Sequence, residues 1–394
     1  MLINKIEKKM IDDKITYQAK VITQLDNYLV KFNIDNTCEL FVDDQVHDSF
    51  LLAVLLNAMD SGEDIHIEGV LSEKLYYNVT NFLIPAWQSI IPGLKKVRIL
   101  PDNLRTTTGG SSNGVATGCS GGVDSFYSIA YHLNREVPES YKLTHLLYNA
   151  HLGTEKMNTL AEDRYNIIKM CADSIGLPLV RVDTNFKDFS KFNYQASHHF
   201  WNISSVLLLQ NLFSKYYYSS GISYIDCHLD QSNDPAYSDP FTIHLFSTEK
   251  VTAIPFGGQV PRTEKTRQIA DYEPSQQFLN VCVDYVPGAK NCSVCRKCCR
   301  TLLTLEILGY IDKYSRAFDL KKYKKVRSKY LFKILRNKNN SLNRELLSVA
   351  KSNKFHISCK ILITSKAYNI LFPYFLEKWL DRRLRSLKKQ LSQR

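Results

Sequence analysis

Between residues 114 and 229 the sequence alternates short β-branched runs with helix-length stretches, in the order GVATGC, VDSFYSIAYHLN, KLTHLLYNA, EDRYNIIKMCADSIG, LPLVRVDTNF, NISSVLLLQNLFSKYYYSS and GISYIDCHL. That rhythm predicts βαβ crossovers and a mainly parallel sheet, because parallel neighbours need a long connection and a helix is the usual one. The first strand-to-helix junction reads TGCSGGVDSF, residues 117 to 126. In an open parallel sheet, ligands bind where strands turn into helices. The unpaired backbone N–H groups of such a turn, together with the helix dipole, favour a phosphate.

The residues of the junction suit that task. Gly121 and Gly122 lack the Cβ that would hold a phosphate off, Ser120 and Ser125 offer hydroxyl donors, and Asp124 can hold Mg²⁺ or cap the helix. The lysine of the GxxxxGK[ST] phosphate loop is absent, which argues against simple γ-phosphate hydrolysis. An ordinary capped turn uses the same residue types, and that reading stays open at this point.

A second constraint is CVDYVPGAKNCSVCRKCCR. Cys292, Cys295 and Cys298 form two CxxC units that share Cys295, and Cys282 supplies a fourth thiolate for a tetrahedral site of zinc type. An iron–sulfur cluster and unligated thiols are the alternatives, and Cys299 could stand in for Cys298. Four thiolates leave no position for water, so a metal here would hold the fold and take no part in a reaction.

Ten cysteines in a chain of 394 residues, half of them crowded between Cys282 and Cys299, suggest metal in a reducing compartment. The polar opening MLINKIEKKMIDDK does not read as an export leader, and FLLAVLLNAM falls short of the roughly 18 apolar residues that span a bilayer. The expectation is a cytoplasmic protein. Its formal charge of +12 is uneven: from Ile311 onward 23 Lys and Arg stand against 5 Asp and Glu, while residues 1 to 310 carry 28 against 34. Basic runs there interleave with aromatics, in KKYKKVRSKYLFKILR and in FPYFLEKWLDRRLRSLKKQ, which suits nucleic acid, an anionic membrane surface or merely solvated helices. Three regions follow: a small α/β N-terminal domain over 1–105, an α/β domain over 106–310 that contains the cysteines, and a basic helical C-terminal region over 311–394.

SGGVDS, residues 120 to 125, resembles the signature loop of the PP-loop or N-type ATP pyrophosphatases, the adenine-nucleotide alpha-hydrolase superfamily. With the cysteine cluster downstream, the stretch from about 112 to 309 is similar to the 7-cyano-7-deazaguanine synthase branch of that superfamily. The run NCSVCRKCCRTLLTLEILG, the 110-residue leader and the basic tail depart from it. The resemblance implies a parallel, HUP-like and Rossmann-like sheet, with ATP and Mg²⁺ as cofactors beside Zn²⁺. It implies that Ser120, Gly121, Gly122, Val123, Asp124 and Ser125 cradle pyrophosphate as ATP is cleaved between its α and β phosphates.

Further candidates fall around this core. Arg262 and Lys265, in PRTEKTR, match the place where the synthase branch carries an Arg and a Lys, and could neutralise the leaving pyrophosphate; otherwise they are surface charges of a helical turn. Asn149 and His151 close the strand LLYNA, Asp183 closes LVRVD, and all three are candidates for contact with adenosine or substrate. His228 and Asp230 end the expected strand YIDCHLD, and His228 could accept a proton from an incoming amine. His198 and His199 read as ordinary helix residues.

The reading that follows is ATP-dependent adenylation of a small carboxylate or carbonyl, with ammonia or an amine then forming an amide or nitrile. The alternatives are an RNA base modifier of the thiolation type and a zinc-stabilised nucleotide-binding protein without turnover. A homodimer is a compatible assembly.

Overall fold

The computed structural model describes residues 1–371 apart from 12, 107–111, 135, 232–233 and 285. The run FPYFLEKWLDRRLRSLKKQ, expected above as part of a basic helical region, lies outside the described residues. Two compact units emerge. One comprises Met1–Asn280 with Pro287–Ala289, and the other Val281–Val286 with the chain from Lys290. The division falls ahead of the cysteine cluster, which groups with the basic helices.

The first unit is built on one sheet. Its strands are β1 (Leu2–Ile3), β2 (Glu7–Ile11), β3 (Lys14–Ile22), β4 (Asn27–Asp35), β5 (Ile65–Ser72), β6 (Ile99–Arg105), β7 (Gly114–Gly118), β8 (His145–His151), β9 (Leu179–Thr184), β10 (Phe213–Ser219) and β11 (Thr252–Phe256). The spatial order is β11-β10-β7-β8-β9-β4-β3-β1-β5-β6, with β2 also on β3. From β11 to β9 every pair is parallel. The expectation of a parallel sheet is corrected beyond that point: β4 joins β9 antiparallel, and β3 joins β4 in a hairpin of nine paired residues. An open β9 edge would expose a row of unpaired N–H and C=O groups, and the hairpin covers it.

Helices cover both faces. They are α1 (Asp48–Ser61), α2 (Glu73–Asn78), α3 (Ile84–Ile90), α4 (Val123–Asn134), α5 (Glu155–Ile175), α6 (Phe186–Phe189), α7 (Tyr194–Leu208), α8 (Asp239–Thr242), α9 (Arg262–Ile269) and α10 (Glu273–Phe278). The stretch DSFLLAVLLNAM of α1 carries apolar residues all round and is buried throughout, as a helix without a polar face must be. It shares one core with Phe32, Trp87, Phe200 of α7 and Phe246. Ile129 of α4 and Ile168 and Ala172 of α5 form the other core with Val115, Leu146 and Tyr217.

Three local expectations are corrected. FSKYYYS, read as the end of a helix, is strand β10, because α7 stops at Leu208 and three consecutive tyrosines are buried on alternating faces of the sheet. YIDCHL, read as a strand, is a 3₁₀ turn at Tyr224–Asp226 followed by irregular chain. TAIPF, unread as a strand, is β11; its Pro255 is tolerated because β11 ends the sheet.

The second unit carries α11 (Arg296–Ile307), α12 (Leu320–Arg336), α13 (Ser341–Ser352) and α14 (Cys359–Leu371). Among the described residues no helix is long and apolar enough to cross a membrane.

Candidate functional site

Strand order reverses beside β7. The chain leaves β7 through α4 and α5 over one face, reaching β8 and β9, then returns through α7 over the other face to β10 on β7's opposite flank. In open parallel sheets such a reversal is where ligands generally bind. The loop from Cys119 to Gly122 follows the carboxyl end of β7.

Gly121 adopts φ +73°, and a Cβ on it would meet Asn280 Cβ at 3.4 Å. Its carbonyl accepts from Asn280 N–H at 2.7 Å, so the turn is pinned from the far end of the unit. The Gly122 N–H donates to Ser120 Oγ at 3.3 Å, and Ser125 Oγ, buried, donates back to the Gly122 carbonyl at 3.0 Å. Val123 is buried at the first turn of α4.

Asp124 is the meeting point of three segments. One carboxylate oxygen takes Arg262, and the other takes Lys265 Nζ at 3.1 Å. Lys265 is only 1% exposed, so its charge depends on partners. Besides Asp124 it donates to the Ser220 carbonyl at 2.5 Å, just past the end of β10. Gly257, at φ +101°, makes room for it: a Cβ there would lie 3.2 Å from Nζ. Arg267, on the same helix, pairs with Glu264 on the surface.

The other candidates form a second group at the ends of β8 and β9. Asn149 Nδ2 reaches Asn202 Oδ1 at 3.2 Å, and His151 Nδ1 lies 2.9 Å from Thr184 Oγ1. Burial lowers the His151 pKa to about 3, which keeps the ring neutral. Its Nε2 and the Asn149 Oδ1 are buried without a partner. Asp183 is buried and held by Arg181 Nε at 2.6 Å and Lys14 Nζ at 2.7 Å. His228 is exposed, stacks on Tyr237 at 4.7 Å and bonds the Asp226 carbonyl at 2.9 Å; Asp230 is exposed as well.

Sequence reasoning missed the polar core beside β10. His199 Nε2 lies 2.6 Å from Asp239 Oδ1, and His198 Nδ1 lies 2.5 Å from the Tyr218 hydroxyl, all of them buried. No spacing signal in the sequence links these residues, which come from α7, β10 and α8.

In the second unit the Sγ atoms of Cys282, Cys292, Cys295 and Cys298 all lie within 4.8 Å of one another. Cys282 and Cys295 are 4.0 Å apart, and Cys292 and Cys298 are 3.9 Å apart. A tetrahedron with metal–sulfur bonds of about 2.3 Å has edges of about 3.8 Å, so the four sulfurs fit a metal ion. Backbone N–H groups point inward: Cys295 N–H to Cys292 Sγ at 3.2 Å, and Cys298 N–H to Cys295 Sγ at 3.5 Å. The Cys298 thiol, hydrogen-bonded to Cys295, draws the Cys295 pKa down while its own rises. Cys299 is outside the group, buried and turned to the Val294 carbonyl at 3.3 Å.

Fold and clusters together define an α/β protein with a mixed sheet and a four-cysteine site able to hold a metal ion. No protein-family model, curated protein or solved structure matches the chain.

Proposed function

We propose that the loop from Ser120 to Ser125 binds the phosphates of ATP and that the protein transfers AMP to a carboxylate or carbonyl oxygen. That oxygen attacks the α phosphorus, the bond to the bridging oxygen breaks, and pyrophosphate leaves. A nitrogen nucleophile then attacks the activated carbon, AMP departs with the bonding pair, and the nitrogen loses a proton. Turning a poor oxygen leaving group into AMP is what makes the second step accessible.

The observation that carries this reading is the convergence of Asp124, Arg262 and Lys265 beside Gly121, at the point where the order of the parallel strands reverses. Arg262 and Lys265 supply fixed positive charge where the pyrophosphate would depart, and charge placed in advance needs no reorganisation during reaction. Asp124, whose two oxygens engage Arg262 and Lys265, would hold these cations in place for the phosphates, and a Mg²⁺ brought by the nucleotide would supply further neutralisation. His228 is left out of this assignment because it is exposed and engaged with Tyr237.

Sulfur transfer is the weaker alternative. Cys119 and Cys171 are buried, Cys227 is half-buried near Lys265, and desolvation pushes all three thiols above their ordinary range. A thiolate is the nucleophile in such chemistry, and these sites disfavour it. The four-cysteine cluster is assigned to zinc in a structural role.

Calorimetric titration with ATP and Mg²⁺ tests the site. Saturable binding, displaced by inorganic pyrophosphate and weakened more than about tenfold in Arg262→Ala, is expected. Equal affinity of the variant for both ligands would remove Arg262 and the loop from the account.

A further inference from the structure

A cavity opens in the second unit. It has a volume of about 570 Å³ and is framed by the end of α12, by α13, by the turn that follows and by α14. Its floor is apolar, formed by Leu335, Leu347, Ala350, Phe355 and Leu362. Its rim is cationic: Lys338, Arg344, Lys351 and Lys354 are all exposed, with His356 beside them, and among the described residues no carboxylate lines the cavity. Lys354 also holds φ +50°, a conformation that glycine or asparagine usually supplies at the end of a helix. Keeping a lysine there costs backbone energy and places one more cation at the rim.

We propose that this cavity binds a single-stranded polynucleotide, one base entering the apolar floor while flanking phosphates lie on the lysine rim. Three features favour this occupant. The charge complements a chain of phosphates, and over 290–371 the sequence carries 20 Lys and Arg against 4 Asp and Glu. The site is concave and bounded, which suits a base with its backbone; a membrane surface would call for a protruding apolar face. The chain's own segment 372–394 is itself basic, with 7 Lys and Arg against 2 Asp and Glu, and like charge disfavours it as the occupant. This inference concerns binding in the second unit and does not depend on ATP turnover.

The test is fluorescence anisotropy of the full chain with a short labelled single-stranded oligonucleotide, at two salt concentrations. With about four phosphates neutralised, a fourfold rise in salt should weaken binding roughly 50-fold. Lys351→Glu with Lys354→Glu should weaken binding more than about tenfold beyond the control pair Lys325→Glu with Lys329→Glu, which makes the same charge change on the exposed face of α12 away from the cavity. Circular dichroism and metal content verify that each variant is folded. Equal losses in the two pairs would reduce the effect to diffuse charge and overturn the site. So would AMP displacing the oligonucleotide with equal affinity, or anionic phosphatidylserine vesicles competing for the rim with equal affinity.

Discussion

The Lys265 ammonium lies 3.1 Å from Asp124 Oδ1, although 141 residues separate the two in the chain. Lys265 is almost fully buried and the Asp124 side chain is 16% exposed, and Ser220 contributes the other acceptor. A buried ion pair of this kind is costly to break from one side, because the remaining charge has no water to turn to.

Asp124→Ala should therefore destabilise the first unit by about 3 kcal/mol, read as a lower urea midpoint, while leaving metal content unchanged. Adding Lys265→Met should restore much of that loss. If the double variant is less stable than the single one, the pair is not the source of the effect.

Gly121→Ala places a Cβ at φ +73° and against Asn280. A loss of about 1–2 kcal/mol in stability is expected, together with weaker ATP binding. A variant as stable as the parent, with unchanged affinity, would show that the loop geometry is not demanded by the fold.

Cys295→Ser should drop the zinc content far below one equivalent, measured by mass spectrometry of the purified protein, whereas Cys299→Ser should keep it. Full metal retention in Cys295→Ser would break the ligand assignment.

Asp48 gives a pH dependence. It is fully buried at the start of α1, accepts from Ser72 N–H at 2.9 Å, and desolvation raises its pKa to about 7. The folded state then keeps a proton that the unfolded chain has lost from about pH 4 upward. The associated stability is present below pH 4 and is lost as pH rises to 7, with a slope of at most about 1.4 kcal/mol per pH unit. Asp48→Asn should flatten the dependence of the urea midpoint over that interval, and an unchanged slope would assign it elsewhere.

Sequence alone reaches the elements whose signals are local. GVATG followed by SGGVDS marks β7 and its loop, and the cysteine spacing points to Cys282, Cys292, Cys295 and Cys298 while leaving Cys299 as a substitute for Cys298; the structure brings the first four together. It fails where long-range contacts decide. KYYYS becomes a strand only because β7 and β11 flank it, and the antiparallel edge arises because β4 finds β9, a pairing that no neighbouring residue announces. The polar core of His199 and Asp239 is invisible for the same reason.

The most direct measurement follows the fate of ATP labelled at the α phosphate, incubated with the protein, Mg²⁺, ammonium and a panel of small carboxylates, with products separated by thin-layer chromatography. The account predicts labelled AMP and matching pyrophosphate, both abolished by Asp124→Asn while zinc content holds. Labelled ADP as the product, or AMP formation that survives Asp124→Asn undiminished, would contradict it.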